Sequence, residues 1–263
     1  MFHQNKDIDI LDMIIKCETE YLKCFCKVDR YQDFIRFQDD YMPDYWSHNY
    51  TWVNKVKDDK AFIHLIESEI THSKNRGKDF CLIRCHFPLN NPALKQLPIE
   101  PDISTSIYLV LNDFSGLSNL NKIKDSRVDK VDKIEMLEDI ISLDEAFGDS
   151  RDFCTRRVYR RKDIYLSSGG VDSYVCYHNN IAVGNCDLFI HGNMAKIEDF
   201  AVSPNHQRKG FGKAMMRVLL EIAKALSVTK VYLETDKDDT AKDMFQKCGF
   251  HKVNEFTDLT FYL

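Results

Sequence analysis

The chain has 263 residues, 44% hydrophobic and 29% charged, with 10 Gly and 6 Pro, which excludes collagen-like, low-complexity and wholly disordered classes. At about 150 residues per domain the length accommodates one large domain or two modest ones. The net charge of -5 is evenly spread, 17 basic and 19 acidic residues over 1–127 against 19 and 22 over 128–263, so neither half is a basic arm suited to nucleic acid or an anionic membrane.

No apolar run approaches the roughly 20 residues that span a bilayer, and Met1 to Asp12 lacks a basic segment followed by a hydrophobic one, so a cytoplasmic location is expected. The nine cysteines then read as reduced thiols. Cys24 with Cys26, and Cys81 with Cys85 and His86, lack the usual C-x2-C spacing of zinc ligands, and no metal is expected. Cys81, Ile83, Cys85 and Phe87 would share one face of a strand as small hydrophobes.

Along the chain, Ile8, Leu11, Ile14 and Ile15 recur at helical spacing, as do Phe62, Leu65, Ile66 and Ile70 before Gly77. Phe80 to Phe87 and Ile103 to Leu111 read as strands, joined by an irregular connection through Pro88, Pro92, Pro98 and Pro101. The polar stretch Asn112 to Asp129 marks a domain boundary, dividing the chain into 1–127 and 128–263. Val128 to Leu137 is expected as a short strand, Ile140 to Phe147 and Phe153 to Leu166 as helices ending before Ser167-Ser168-Gly169-Gly170. Val171 to His178, Ile181 to Ile190 and Met194 to Val202, with turns at Asn179-Asn180 and His191-Gly192-Asn193, form an antiparallel meander. An amphipathic helix over Gly212 to Leu226 follows, then a strand over Lys230 to Thr235, a helix over Thr240 to Lys247, and two closing strands over Phe250 to Phe256 and Leu259 to Leu263.

The chemistry lies between the meander and the amphipathic helix, in Ile197-Glu198-Asp199-Phe200-Ala201-Val202-Ser203-Pro204-Asn205-His206-Gln207-Arg208-Lys209-Gly210-Phe211-Gly212. Free amide groups at a helix start, glycines that permit close approach, and the charges of Arg208, Lys209 and Lys213 make a cradle for a phosphate or pyrophosphate. A dinucleotide fingerprint from Gly210 would need Gly or Ala where Met215 stands, and no G-x-x-x-x-G-K-[ST] occurs. What remains is Gln207-x-x-Gly210-x-Gly212 after a strand ending Ala201-Val202-x-Pro204. This resembles the acetyl-coenzyme A loop of the GNAT superfamily of N-acetyltransferases, [QR]-x-x-G-x-[GA]. Tyr232-Leu233-Glu234-Thr235, Ala241 and Phe245-Gln246-Lys247-Cys248-Gly249-Phe250 are similar to the family's fifth strand and the helix and strand after it. Ile197 to Val202 is closest in wording to the I-E-D-x-A-V strand of glucosamine-6-phosphate N-acetyltransferases, a local similarity that does not transfer a substrate.

The resemblance covers about residues 128 to 263. It implies an α/β (α+β) GNAT fold with a mixed, mostly antiparallel central sheet there, preceded by an N-terminal α/β domain of which a degenerate GNAT-like half is one reading. It implies acetyl-CoA as co-substrate, with Phe200, Ala201 and Val202 binding pantetheine through the backbone, and Gln207, Arg208, Lys209, Gly210, Phe211, Gly212 and Lys213 holding pyrophosphate. A main-chain amide near Phe200 would stabilise the tetrahedral oxyanion as an acceptor amine attacks the thioester. An amine of pKa near 10.4 is protonated at neutral pH, and presenting it uncharged costs roughly 4.6 kcal/mol unless a base helps. Glu198 is the chosen base over Asp199, because successive strand residues face opposite ways; solvated strand carboxylates are the competing reading.

Two positions depart from the family pattern. The frequent general-acid tyrosine aligns with Phe245 and a frequent asparagine with Asp238. Either the thiolate, of pKa near 8.5, leaves without a donor or with another such as Tyr232, a residue read first as a buried strand tyrosine, or the chain is a non-catalytic coenzyme A binding or sensing module. A scaffold with a vestigial loop is a third reading. Arg156, Arg157, Arg160, Arg161 and Lys162 read as a solvated helix face ahead of an anion site. The aromatic-rich Tyr31 to Trp52 reads as core packing ahead of an acceptor-pocket wall. The amine acceptor and the oligomeric state are left open, with neither nucleic acid nor membrane as partner.

Overall fold

The computed structural model describes residues 3–87, 89, 94–95, 97, 99–120, 122–167 and 170–263, with backbone alone over 3–9. The expected connection through Pro88, Pro92 and Pro98 and the turn at Ser168-Gly169 lie outside them. The chain forms two compact units, one of Met1–Cys24 with Tyr108–Val253 and one of Phe25–Ile107 with Asn254–Leu263. This differs from the 1–127 and 128–263 division expected from sequence. The first helix buries Ile14, Cys17, Glu18 and Tyr21 along one stripe and packs on strands of the second half, which takes it out of the segment that follows it.

The larger unit begins with helix α1, His3–Leu22. Its sheet contains the end of β5 (Asp102–Leu111), β6 (Ser126–Lys130), β7 (Val171–His178), β8 (Ile181–His191), β9 (Met194–Val202) and β10 (Lys230–Asp236), in the order β5-β10-β9-β8-β7-β6. The meander β7-β8-β9 is antiparallel as expected, with Asn179 and Asn180 both at positive φ in the first two-residue turn. β9 and β10 pair in parallel across the crossover helix. The expected strand over Val128 to Leu137 is shorter. Leu137, Ile140 and Ile141 form a buried helical stripe, so helix α3 runs over Glu135–Glu145 and is followed by α4, Arg151–Tyr165. Helix α5 is Phe211–Ala225 and α6 is Ala241–Lys247.

The smaller unit contains β1 (Lys27–Arg30), β2 (Phe34–Gln38), β3 (Thr51–Val53), helix α2 (Asp59–Asn75), β4 (Phe80–Cys85) and the end of β11 (His251–Tyr262), ordered β1-β2-β3-β4-β11. The two closing strands expected from sequence are one. The polar pair Thr257-Asp258 resembles a break, but Asp258 sits opposite Arg84 and accepts two hydrogen bonds from its guanidinium at 2.9 Å each, so the strand continues. Cys81, Ile83 and Cys85 pack with Phe62, Ile66, Ile70, Leu259 and Phe261, and burial pushes the Cys81 thiol up to about 12. Phe37, Tyr50 and Trp52 are buried, and Tyr31, Tyr41 and Trp46 are exposed, so the aromatic segment is core on one face only.

Each unit repeats one motif, antiparallel strands followed by a strand, a helix and a parallel strand: β3-α2-β4 here and β9-α5-β10 in the larger unit. The copies differ at the helix start. Asp58 caps α2 by accepting from the Ala61 amide at 2.8 Å, and Asp59 adds a second carboxylate to the first turn.

Candidate active site

Strand β9 carries the site. Its parallel pairing with β10 runs from Met194↔Lys230 to Ile197↔Leu233 and stops, although both strands continue. On its other edge the register with β8 slips: Asp187 pairs with Glu198 and Asn185 with Ala201, so Asp199 and Phe200 stand against Cys186 alone. This bulge puts Asp199 at φ 49, a left-handed conformation costly for a non-glycine residue. Two guanidinium groups of α4 hold it there, Arg157 at 2.8 Å and Arg161 more closely. Below the bulge, Gly184 lies so close to β9 that a Cβ would stand 2.6 Å from the Ala201 carbonyl oxygen.

The loop after β9 is tied back to it. Gln207 donates from Nε2 to the Val202 carbonyl at 3.1 Å, and Lys209 Nζ donates to the Asn205 carbonyl at 2.7 Å. Arg208 adopts φ 61 and Gly210 φ 92, which sets the turn into α5. No side chain caps the α5 start among the described residues, and its first turn holds no acid, leaving the amides and the helix dipole directed at the loop. Gly212 packs beneath Met244 and Phe200, while Phe211 is buried against His178 and His206. All of Phe200, Ala201, Val202, Gln207, Arg208, Lys209, Gly210, Phe211, Gly212 and Lys213 thus fall on one strand end, one loop and one helix turn.

Glu198 stands one residue past the last β9–β10 pair, its side chain 23% exposed. Lys196, two residues earlier on the same face, lies 2.7 Å from Glu198 Oε2. Burial pushes the Glu198 carboxyl upward, opposed by Lys196 and reinforced by Asp199, Glu18 and Glu234. Asp199 is held by the arginines of α4, and the bulge, which breaks strand alternation, brings it to the Arg161 guanidinium that also binds Asp187, the residue opposite Glu198. Tyr232, read from sequence as a buried strand tyrosine ahead of a substitute donor, lies inside the strand β10. It is fully buried and its hydroxyl donates to Glu18 Oε2 at 3.0 Å. Phe245 packs edge-on to Phe200 at 5.6 Å and near Phe250 at 6.3 Å, a hydrophobic role with no proton to give.

The basic cluster of α4 departs from a solvated face. Arg157 and Arg161 are buried and bind Asp144, Asp187 and Asp199, with Tyr165 donating to Asp187 at 2.7 Å. Periodicity hid this because the two arginines occupy core positions at i and i+4. The signal was the presence of acids at 187 and 199 in otherwise apolar strands. Glu18 and Lys196, polar residues within apolar patterns, were missed for the same reason. Among the described residues no group of three His, Cys, Asp or Glu is placed to hold a metal ion, and no helix is long and apolar enough to cross a membrane.

The larger unit thus combines a parallel β9-α5-β10 crossover, a bulged strand that parts from its neighbour, and an uncapped glycine-bearing helix start. The acetyltransferase (GNAT) family model matches residues 136–250, and the chain belongs to that family. It is 34% identical over 78 residues to glucosamine 6-phosphate N-acetyltransferase of Schizosaccharomyces pombe (strain 972 / ATCC 24843), covering 27% of this chain and 68% of that protein. It is 32% identical over 98 residues to the uncharacterized N-acetyltransferase CgeE of Bacillus subtilis (strain 168), covering 35% of this chain but only 38% of that protein. The fold matches the GCN5-related N-acetyltransferase from Kribbella flavida with a TM-score of 0.70 at 12% identity, over 95% of this chain and 94% of that one.

Proposed function

We propose that the chain transfers an acetyl group from acetyl-CoA to a primary amine by direct attack on the thioester, with Glu198 as the base. The observation that carries this reading is the parting of β9 from β10 immediately before Glu198, ahead of the uncapped start of α5. An extended pantetheine arm adds to a strand edge through main-chain hydrogen bonds, and a pyrophosphate fits amides at a helix start. The residues suit both tasks. Phe200, Ala201 and Val202 supply the strand edge; Gly210 supplies a backbone without a side chain at φ 92; Arg208, Lys209 and Lys213 supply charge. Bound there, acetyl-CoA supplies the activated acyl group.

The acceptor ammonium loses its proton to Glu198, directly or through water, and a main-chain amide at the bulge steadies the oxyanion. With Phe245 apolar and Tyr232 engaged by Glu18, the thiolate departs without a side-chain donor, which its moderate basicity permits. The same two residues favour a second reading, a module that binds coenzyme A without turnover.

Calorimetric titration with acetyl-CoA and thiol release across an amine panel of aminosugar phosphates, polyamines and lysine peptides separate these readings. Transfer requires binding that Gly210→Asp abolishes, and release that falls by about 10²–10⁴-fold in Glu198→Gln while binding persists. Tight binding with no release across the panel supports the non-catalytic module, and no binding at all overturns both.

A further inference from the structure

Lys196 has a more elaborate environment than a structural lysine needs. It is 2% exposed, and a buried ammonium is tolerated only when paired. One carboxylate would suffice, yet two converge on it. Glu18 of α1 grips it with both oxygens, at 2.8 and 2.7 Å, and Glu198 approaches at 2.7 Å. Glu18 is itself fixed by the Tyr232 hydroxyl, and the Tyr21 ring lies beneath the ammonium at 4.3 Å. Three anchors therefore immobilise Lys196 on its inner side, and its remaining bond reaches the one carboxylate of the group that touches solvent.

We propose that Lys196, clamped by Glu18 and the Tyr21 ring, is the positioning residue that holds the Glu198 carboxylate at the mouth of the β9 bulge. The inference rests on Glu198 being the base, and it extends the site to α1, a helix outside the family match at 136–250. Glu198 is faced by Lys196 and Asp199 of β9, Asp187 opposite it on β8, Glu18 and Tyr21 of α1, and Glu234 of β10. Arg157 and Arg161 are divided among Asp144, Asp187 and Asp199, and Lys196 is the cation that Glu198 shares with Glu18.

This geometry yields opposite effects from two substitutions. In Glu18→Gln the ammonium is left to Glu198 alone and a like charge is removed, so the Glu198 carboxyl releases its proton at lower pH. In Lys196→Met the ammonium is gone and Glu18 remains, so it releases its proton at higher pH. Each displacement is on the order of one pH unit, as for an opposite charge gained or lost at this range. A lysine that merely packs α1 onto β9 gives no such opposition.

The test is a carboxyl carbon NMR titration of the full chain carrying [δ-13C]glutamate, with Glu198→Gln assigning the resonance, and no acetyl-CoA or acceptor added. The expected midpoints are ordered Glu18→Gln, wild type, Lys196→Met, with Lys196→Arg close to wild type. If Lys196→Met does not fold, the Glu18→Gln and Lys196→Arg titrations decide. Coincident midpoints in folded variants overturn the positioning role and leave the base assignment standing. Ordered midpoints with full thiol release in Glu198→Gln overturn the base assignment and leave the Lys196–Glu198 coupling intact.

Discussion

Gly184→Ala is the substitution whose cost can be worked most directly from the bulge. In an unconstrained strand, replacing Gly by Ala stabilises by roughly 0.5–1 kcal/mol, because glycine loses more freedom on folding. At position 184 the added Cβ would lie 2.6 Å from the Ala201 carbonyl oxygen, 2.9 Å from Met215 Sδ and 3.4 Å from Val202 Cα. Two of these atoms are backbone of β9 and cannot swing aside. Overpacking of this kind costs about 1–3 kcal/mol, so after the glycine gain the net expectation is a loss of about 1 kcal/mol, seen as a Tm lower by roughly 2–4 °C for a cooperative unit of this size. Because the displaced atoms belong to Ala201 and Val202, affinity for coenzyme A should weaken as well. Gly212→Ala is the control: its nearest neighbour, Met244 Sδ at 2.6 Å, ends a flexible side chain, and the helix gains from losing a glycine. Melting by scanning fluorimetry and calorimetric titration with coenzyme A read both variants. If Gly184→Ala melts at or above the wild-type temperature with unchanged affinity, the close approach of β8 to β9 is not what shapes the bulge.

Three further expectations concern charge and burial. The Glu198 carboxyl is pushed up to about 7, so kcat/KM for any accepted amine should fall on the acid side with a midpoint near 7, well above the ordinary carboxylate range, and Glu198→Gln should lose that limb. Arg161→Met removes a 1% exposed cation from Asp187 and Asp199 and should cost about 3–5 kcal/mol in chemical denaturation at pH 8. Burial raises Asp187 to about 6, so folding favours its protonated form; stability from that preference is present at low pH and lost as pH rises through 6, and the Arg161→Met defect should shrink toward pH 5. Finally, Cys24 is the one cysteine with intermediate burial and the other eight are buried, so a thiol reagent should modify Cys24 ahead of the rest, with all nine reacting after denaturation.

The elements that the sequence placed best are those whose signals are local. Strands β7 and β9 begin and end where alternation and the flanking turns put them, because Asn179-Asn180 and Gly192-Asn193 fix hairpin geometry within two residues. The loop from Gln207 to Gly212 was legible because a glycine spacing encodes a backbone shape. What stayed hidden depends on partners far along the chain. Glu18 and Lys196 are 178 residues apart, and Arg84 and Asp258 are 174 apart, so neither pairing leaves a periodicity to read. The membership of α1 was illegible for that reason too, since amphipathicity states that a helix has a buried face and not which sheet covers it.

The acid-capped start of α2 bears on stoichiometry. A chain that repeats the strand-helix-strand crossover would offer two cradles for a nucleotide-bearing ligand if both helix starts were alike. At α2 the Ala61 amide is already satisfied by Asp58, and a pyrophosphate arriving there would meet two carboxylates within a turn. At α5 it would meet bare amides, a glycine and three bases. One crossover thereby opposes polyanions by its own sequence, and the proposed function carries an expected complement of a single coenzyme molecule per polypeptide.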